Sequence, residues 1–275
     1  MSIRLFVSDV DGTILPSGGK VSDRTKAAIA AAAEMGVPFV IVTGRWYPSA
    51  RDVARALGQD EGYMIIANGG AVVDMDGNPL KEWTIPEADA RKVYEILCKY
   101  DVSRHSFVRN AMYRMNTRAL GKWLQKSMKS YVGQGNGCKI VNDDAEAFEK
   151  FALSAAYKME AYSDDHALLQ AAREELRGAG FCVSSSLPDN LEIVGQGMGK
   201  GVAVRWLAEH LGARMDECMA FGDNTNDLPM LEAVGWPVAV GNAVDELKKC
   251  AKIIAPRCDE DGVAQMIERA LKGEF

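Results

Sequence analysis

No two cysteines of this 275-residue chain form a C-x-x-C pair; the six lie scattered at 98, 138, 182, 218, 250 and 258. That scatter excludes the usual zinc and dithiol motifs, and the thiols are read as reduced, mostly in or near the core. Positive charge is not in surplus either. Thirty-eight acidic against 32 basic residues give a formal charge of -6. This excludes a protein that neutralises many nucleic-acid phosphates, so any anionic ligand must be met by a few local cations. No apolar run approaches the roughly 18 residues of a membrane span. "MSIRLFVSD" also lacks a cationic n-region with a long apolar segment. A cytoplasmic protein with no membrane partner is expected. No tract is biased towards disorder, with 48% hydrophobic and 25% charged residues. The length exceeds that at which one core usually stops growing, so two lobes are expected.

From Ile3 to Leu80, apolar runs alternate with amphipathic, alanine-rich segments, the signature of βαβ units and a parallel sheet. Ser22 is the predicted N-cap of the helix "DRTKAAIAAAAEMG", with Gly36 as its stop. "VPFVIVTG" and "YMIIANG" are the next strands, and "AVVDMDGNPLKEW" reads as a hairpin. Near Pro86 the pattern changes to mixed strands and helices, including "SFVRNAMYRM", a helix from Leu120 to Met128 and the glycine-rich "GQGNG". From Leu191 the first rhythm is expected to resume with "LEIV" as a core strand. The predicted fold class is therefore α/β: a Rossmann-like doubly wound parallel sheet core, residues 1–83 and 190–275, with an inserted α+β cap domain, residues 84–189. Hinges are expected near Thr84 to Pro86 and Pro188 to Leu191.

Chemistry could sit in four places. Asp9 and Asp11 end the first strand. Two neighbouring carboxylates are costly unless a cation or a shared proton relieves the repulsion, although Asp11-Gly12 alone could be a tight turn. Thr43-Gly44-Arg45 offers a hydroxyl, an open backbone N–H and a guanidinium, which suit phosphate oxygens. Lys200 lies in "GQGMGKG" at a helix start. A P-loop would need glycine at Val194 and Ser or Thr at Gly201, so that reading fails. "GDNTND" supplies Asp223, Asn226 and Asp227, and lacks the glycine and glutamate of a calcium loop. Together the segments bring hard oxygen ligands, one lysine and one arginine to the carboxyl ends of predicted parallel strands. That set fits a divalent cation holding a phosphate.

With "DVDGT" at 9–13, "TGR" at 43–45, Lys200 in "GKG" and "GDNTND" at 222–227, in that order and spacing, the chain resembles the haloacid dehalogenase (HAD) superfamily of phosphohydrolases, Cof-type sugar-phosphatase-like branch. "IIANGGAV", "DLPMLEAVG" and "VAVGNAVDELKKCA" extend the resemblance over the core. It implies that Asp9 is the nucleophile and Asp11 the general acid and base. It further implies magnesium held by Asp9, the Asp11 carbonyl and Asp223, with Asp227 in the outer shell. Thr43, Gly44, Lys200 and Asn226 would hold the phosphate, with Arg45 facing the substrate. An acid at position 11 disfavours ATPase chemistry. A small phosphate monoester, sugar phosphates foremost, is the expected substrate. A phosphomutase and a non-catalytic phospho-ligand sensor are the alternatives. His105, Arg109, Tyr113 and Arg114 are candidate selectivity residues, with plain surface-strand positions expected to be the commoner role.

Overall fold

The computed structural model describes residues 3–16, 18–116 and 139–275. It divides into two compact units, residues up to Lys81 joined by Gly199–Phe275, and Glu82–Met198.

The first unit is built on continuous apolar strands. Strand β1 (Leu5–Ser8, "LFVS") and β2 (Phe39–Val42, "FVIV") are buried throughout, as the inner strands of a parallel sheet covered on both faces must be. The eight-stranded sheet runs β14 (Ile253–Ile254), β13 (Trp236–Ala239), β12 (Cys218–Gly222), β1, β2, β3 (Tyr63–Ile66), β4 (Ala71–Asp74) and β5 (Pro79–Glu82). The first six are parallel, and β4 returns antiparallel on β3 as the hairpin pattern predicts. Counting outwards, the chain fills one side from β1 to β3 and later the other from β12 to β14. The order therefore reverses between β1 and β12, and such a switch point leaves a crevice at the strand carboxyl ends. Helix α1 (Asp23–Glu34) starts where expected, Ser22 accepting from the Thr25 amide, and packs against α8 (Gly262–Leu271). Helix α2 (Tyr47–Ala56) follows β2, and α5 (Lys200–His210), α6 (Leu228–Ala233) and α7 (Asp245–Cys250) complete the unit.

The second unit carries a six-stranded sheet: β10 (Cys182–Ser184), β11 (Asn190–Val194), β9 (Lys158–Tyr162), β6 (Ser103–Val108), β7 (Ala111–Met115) and β8 (Lys139–Asn142). Neighbours are antiparallel except β7 and β8. Helices α3 (Glu87–Leu97) and α4 (His166–Gly178, capped by Asp165) pack together. Their Val93, Leu97 and Leu169 join Met159, Ala161, Leu191 and Ile193 of the strands in one apolar core. Strand side chains alternate between faces. The other face of β6, β9 and β11 therefore presents His105, Lys158, Glu160 and Glu192, all buried.

Three expectations are corrected. "LEIV" does not resume the first sheet: β11 is hydrogen-bonded to β9 and β10, so the chain returns to the first unit only at Gly199. An apolar tetrapeptide carries no mark of which sheet it will join. Strand β8 was not expected; its "KIVN" is short and half-exposed, with no clear alternation. Among the described cysteines Cys218 is buried and Cys250 and Cys258 are half-buried, whereas Cys98 and Cys182 are exposed, so the reading of thiols in or near the core fails for those two. The predicted helix from Leu120 to Met128 and the "GQGNG" link lie outside the described residues.

Candidate active site

The switch point gathers three of the four motifs at once. Asp9 directly follows β1, and its amide donates to the carbonyl of Phe221 on β12 at 2.9 Å. Asp223 follows β12. Lys200 is the first residue of α5, whose N-terminus is wedged against α6: a Cβ on Gly201 would lie 2.1 Å from the Pro229 carbonyl. Only glycine lets the helix start this close, and so the lysine reaches inwards. It is 1% exposed. Its ammonium donates to Asp9 Oδ1 at 2.5 Å and to Asp227 Oδ1 at 2.6 Å.

Burial opposes the charge on Lys200, but Asp227 and Asp9 outweigh it and hold the ammonium above its ordinary range. Burial pushes the Asp9 carboxyl well up. Lys200 pulls the other way, and the charges of Asp227 and Asp223 add to the rise. Burial, then Asp227, lifts Asp223 to about 6. Three carboxylates thus surround one ammonium.

The three carboxylates are not equivalent. Asp227 is fully engaged, its Oδ1 by Lys200 and its Oδ2 by the amides of Asp223 and Asn224 at 3.0 and 3.1 Å. It anchors the lysine and the loop. Asp9 gives Oδ1 to Lys200, and Asp223 gives Oδ1 to the Thr13 hydroxyl at 2.8 Å. Among the described residues the Oδ2 of each takes no hydrogen bond. Carboxylate oxygens of Asp9, Asp223 and Asp227 can all come within 4.8 Å of one another, as cation ligands must. Gly12, at φ +85°, passes so close to Asp223 that a Cβ would lie 2.4 Å from its Oδ2. A buried surplus of negative charge, hard oxygen donors and a tight cradle fit a small dication such as magnesium.

Asp11 behaves differently from its neighbour. Its side chain is 59% exposed and takes a two-pronged ion pair from Arg45, Nε to Oδ2 at 2.8 Å and Nη2 to Oδ1 at 2.6 Å. The expected repulsion between Asp9 and Asp11 is therefore relieved by two separate protein cations, Lys200 and Arg45. The repulsion that remains is between Asp9, Asp223 and Asp227.

The 43–45 loop ends β2 next door. Thr43 is buried and its Oγ1 accepts the Arg45 amide at 3.1 Å, while a Cβ on Gly44 would meet Asn68 Oδ1 at 2.9 Å. Asn226 sits in the single 3-10 turn Thr225–Asp227 that leads into α6. Sequence reasoning passed over four supporting residues: Thr13, Ser49, Asn68 and Asn242. Thr13 belongs to the quoted "DVDGT". Asn242 donates to the Gly12 carbonyl at 2.7 Å and accepts from the Cys258 amide, tying the first loop to the last. Asn68 adopts a left-handed conformation at φ 57°, which the "NGG" run could have signalled.

The selectivity candidates separate. His105 and Arg114 are buried, against the expectation of surface positions, because their face of the second sheet is covered. Tyr113 packs on the apolar core of that unit, and Arg109 pairs with Glu82.

A Rossmann-like sheet with buried, lysine-clamped carboxylates at its switch point is the candidate active site. The chain belongs to the haloacid dehalogenase-like hydrolases, whose family model matches residues 6–267. It is 30% identical over 275 residues to an HMP-PP phosphatase of Yersinia pestis, covering 98% of this chain and 95% of the relative. Among solved structures, a haloacid dehalogenase-like hydrolase from B. subtilis superposes with TM-score 0.83 at 27% identity, covering 97% and 99% of the two chains. One from Bacteroides thetaiotaomicron does so with TM-score 0.80 at 28% identity, covering 98% and 99%. Among the described residues no helix is long and apolar enough to cross a membrane.

Proposed function

We propose that this hydrolase is a magnesium-dependent phosphatase that cleaves small phosphate monoesters, sugar phosphates foremost, through an aspartyl-phosphate on Asp9. The observation that carries the reading is the buried Lys200–Asp9 contact beside Asp223, with a second, exposed carboxylate, Asp11, two residues from the first. The ammonium favours the charged form of Asp9 that can attack phosphorus, working against the rise imposed by burial and the neighbouring carboxylates. Asp9 and Asp223, with the Asp11 carbonyl, would hold Mg2+, which when bound supplies charge to the phosphate oxygens. Thr43, the Gly44 amide, Lys200 and Asn226 are the proposed phosphate holders, and Asp227 fixes Lys200. Asp11 protonates the leaving oxygen, then takes a proton from the water that hydrolyses the aspartyl-phosphate.

Release of inorganic phosphate tests this. With Mg2+, the purified chain is assayed on a panel that includes sugar phosphates and, because the Yersinia relatives carry its name, HMP-PP. Turnover is expected on at least one ester, with loss on chelation and return on adding Mg2+. Asp9→Asn should lose more than about four orders of magnitude in kcat, the scale on which removing a nucleophile acts. Wild-type turnover in that variant would remove Asp9 from the chemistry.

A further inference from the structure

Three side-chain nitrogens of Arg45 are already committed. Nε and Nη2 grip both oxygens of Asp11, and Nη1 donates to Ser49 Oγ at 3.0 Å, in the first turn of α2. The backbone is fixed as well, since the Arg45 amide donates to Thr43 Oγ1 and its carbonyl accepts from the Ala67 amide. Arg45 is also the less exposed partner, its side chain at 25% against 59% for Asp11. An exposed ion pair is usually worth little, but a two-pronged pair whose arginine is braced elsewhere is the geometrically specific exception. The fork that would clamp a phosphate is occupied by a carboxylate.

We infer that Arg45 is a positioning residue for Asp11: its braced guanidinium sets the direction in which that carboxyl exchanges protons with the leaving oxygen and the attacking water. The inference rests on the proposed acid and base role of Asp11. In the first step an Asp9 oxygen bonds phosphorus, the ester P–O bond breaks, and the leaving oxygen takes the Asp11 proton. In the second, water gives its proton to Asp11, its oxygen bonds phosphorus, and Asp9 is released. As seen, both oxygens of Asp11 accept from Arg45. When one oxygen carries the proton, the other prong keeps the carboxyl aimed.

Leaving-group dependence tests this, because an aryl phosphate with a stable phenolate needs little protonation and an alkyl phosphate needs it fully. kcat/KM reports the first step, so it is measured with Mg2+ on an alkyl phosphate and on p-nitrophenyl phosphate. Asp11→Asn should lose about 100-fold more on the alkyl ester than on the aryl one. Arg45→Ala should show the same selectivity at about 10-fold, the scale of an orienting partner. Arg45→Lys should not restore it, since a single ammonium cannot reproduce the fork. Both esters are measured on the same preparation, so partial unfolding cancels from the ratio. Equal loss on both esters in Arg45→Ala, with selectivity kept in Asp11→Asn, would make Arg45 a phosphate clamp and overturn the inference alone. Absence of selectivity in Asp11→Asn would overturn the acid role itself, and the inference with it.

Discussion

Among the described residues each unit buries one lysine among carboxylates, and the two burials end differently. In the second unit Lys158 meets Glu160, with Glu192 at 3.9 Å. The Tyr162 hydroxyl donates to the second oxygen of Glu160 at 2.7 Å, and Ser186 donates to Glu192 at 2.8 Å. One ammonium there faces two carboxylates, but both oxygens of Glu160 are used and Glu192 is held by Lys158 and Ser186. In the first unit Lys200 serves Asp9 and Asp227, and among the described residues Asp223 is met by a hydroxyl alone and two carboxylate oxygens stay open. A buried charge is thus no mark of a working site in itself. The mark is charge left uncompensated where a ligand can complete it.

The largest effect expected from this contrast lies in the closed cluster. Lys158→Met strands Glu160 and Glu192 in the interior and should lower unfolding free energy by about 3 to 5 kcal/mol, the usual result of breaking a buried pair. Denaturant titration measures it, and a loss below about 1 kcal/mol would mean the cluster is not closed. The open cluster should answer in the opposite direction. In chelator, Asp223→Asn removes uncompensated charge and should raise the thermal midpoint above wild type, while the stabilisation that Mg2+ gives the wild type disappears. A lower midpoint in chelator would show Asp223 to be structurally compensated.

The smallest effect concerns His105. Burial, reinforced by Arg114 and Lys158, depresses its pKa well below 6.5, so the folded protein holds a neutral imidazole. The unfolded chain binds a proton there below about 6.5 and the folded one does not. The stability present above that pH is therefore lost as pH falls towards the depressed folded value. His105→Gln should flatten the stability profile between about pH 6.5 and 5, and an unchanged slope would assign the acid sensitivity to other groups.

Most of the first unit was legible because its strands are unbroken apolar runs and each functional segment lies within a few residues of a strand or helix end. The helix capped by Ser22 starts where expected, and Asp9, Asp223, Asp227 and Lys200 do converge. What could not be read was pairing. The separation of 34 positions between Asp11 and Arg45 hides a contact made by two loops on adjacent parallel strands. The second unit resisted for a related reason: "SRHSFV" shows alternation, but which face of β6 would be covered depends on distant strands. "LEIV" misled because buried strands of parallel and mixed sheets share one composition.

The central strand pair has a consequence for biosynthesis. Leu5 aligns with Cys218, so β1 cannot gain its second neighbour until most of the polypeptide has left the ribosome. The intervening 82–198 unit is contiguous and can collapse first, shortening the open loop between the halves; each halving lowers the entropic cost of closure by roughly 0.6 kcal/mol. A nascent chain stopped before Cys218 carries Asp9 on a strand with one bare flank and neither Lys200's clamp nor Asp223 in place.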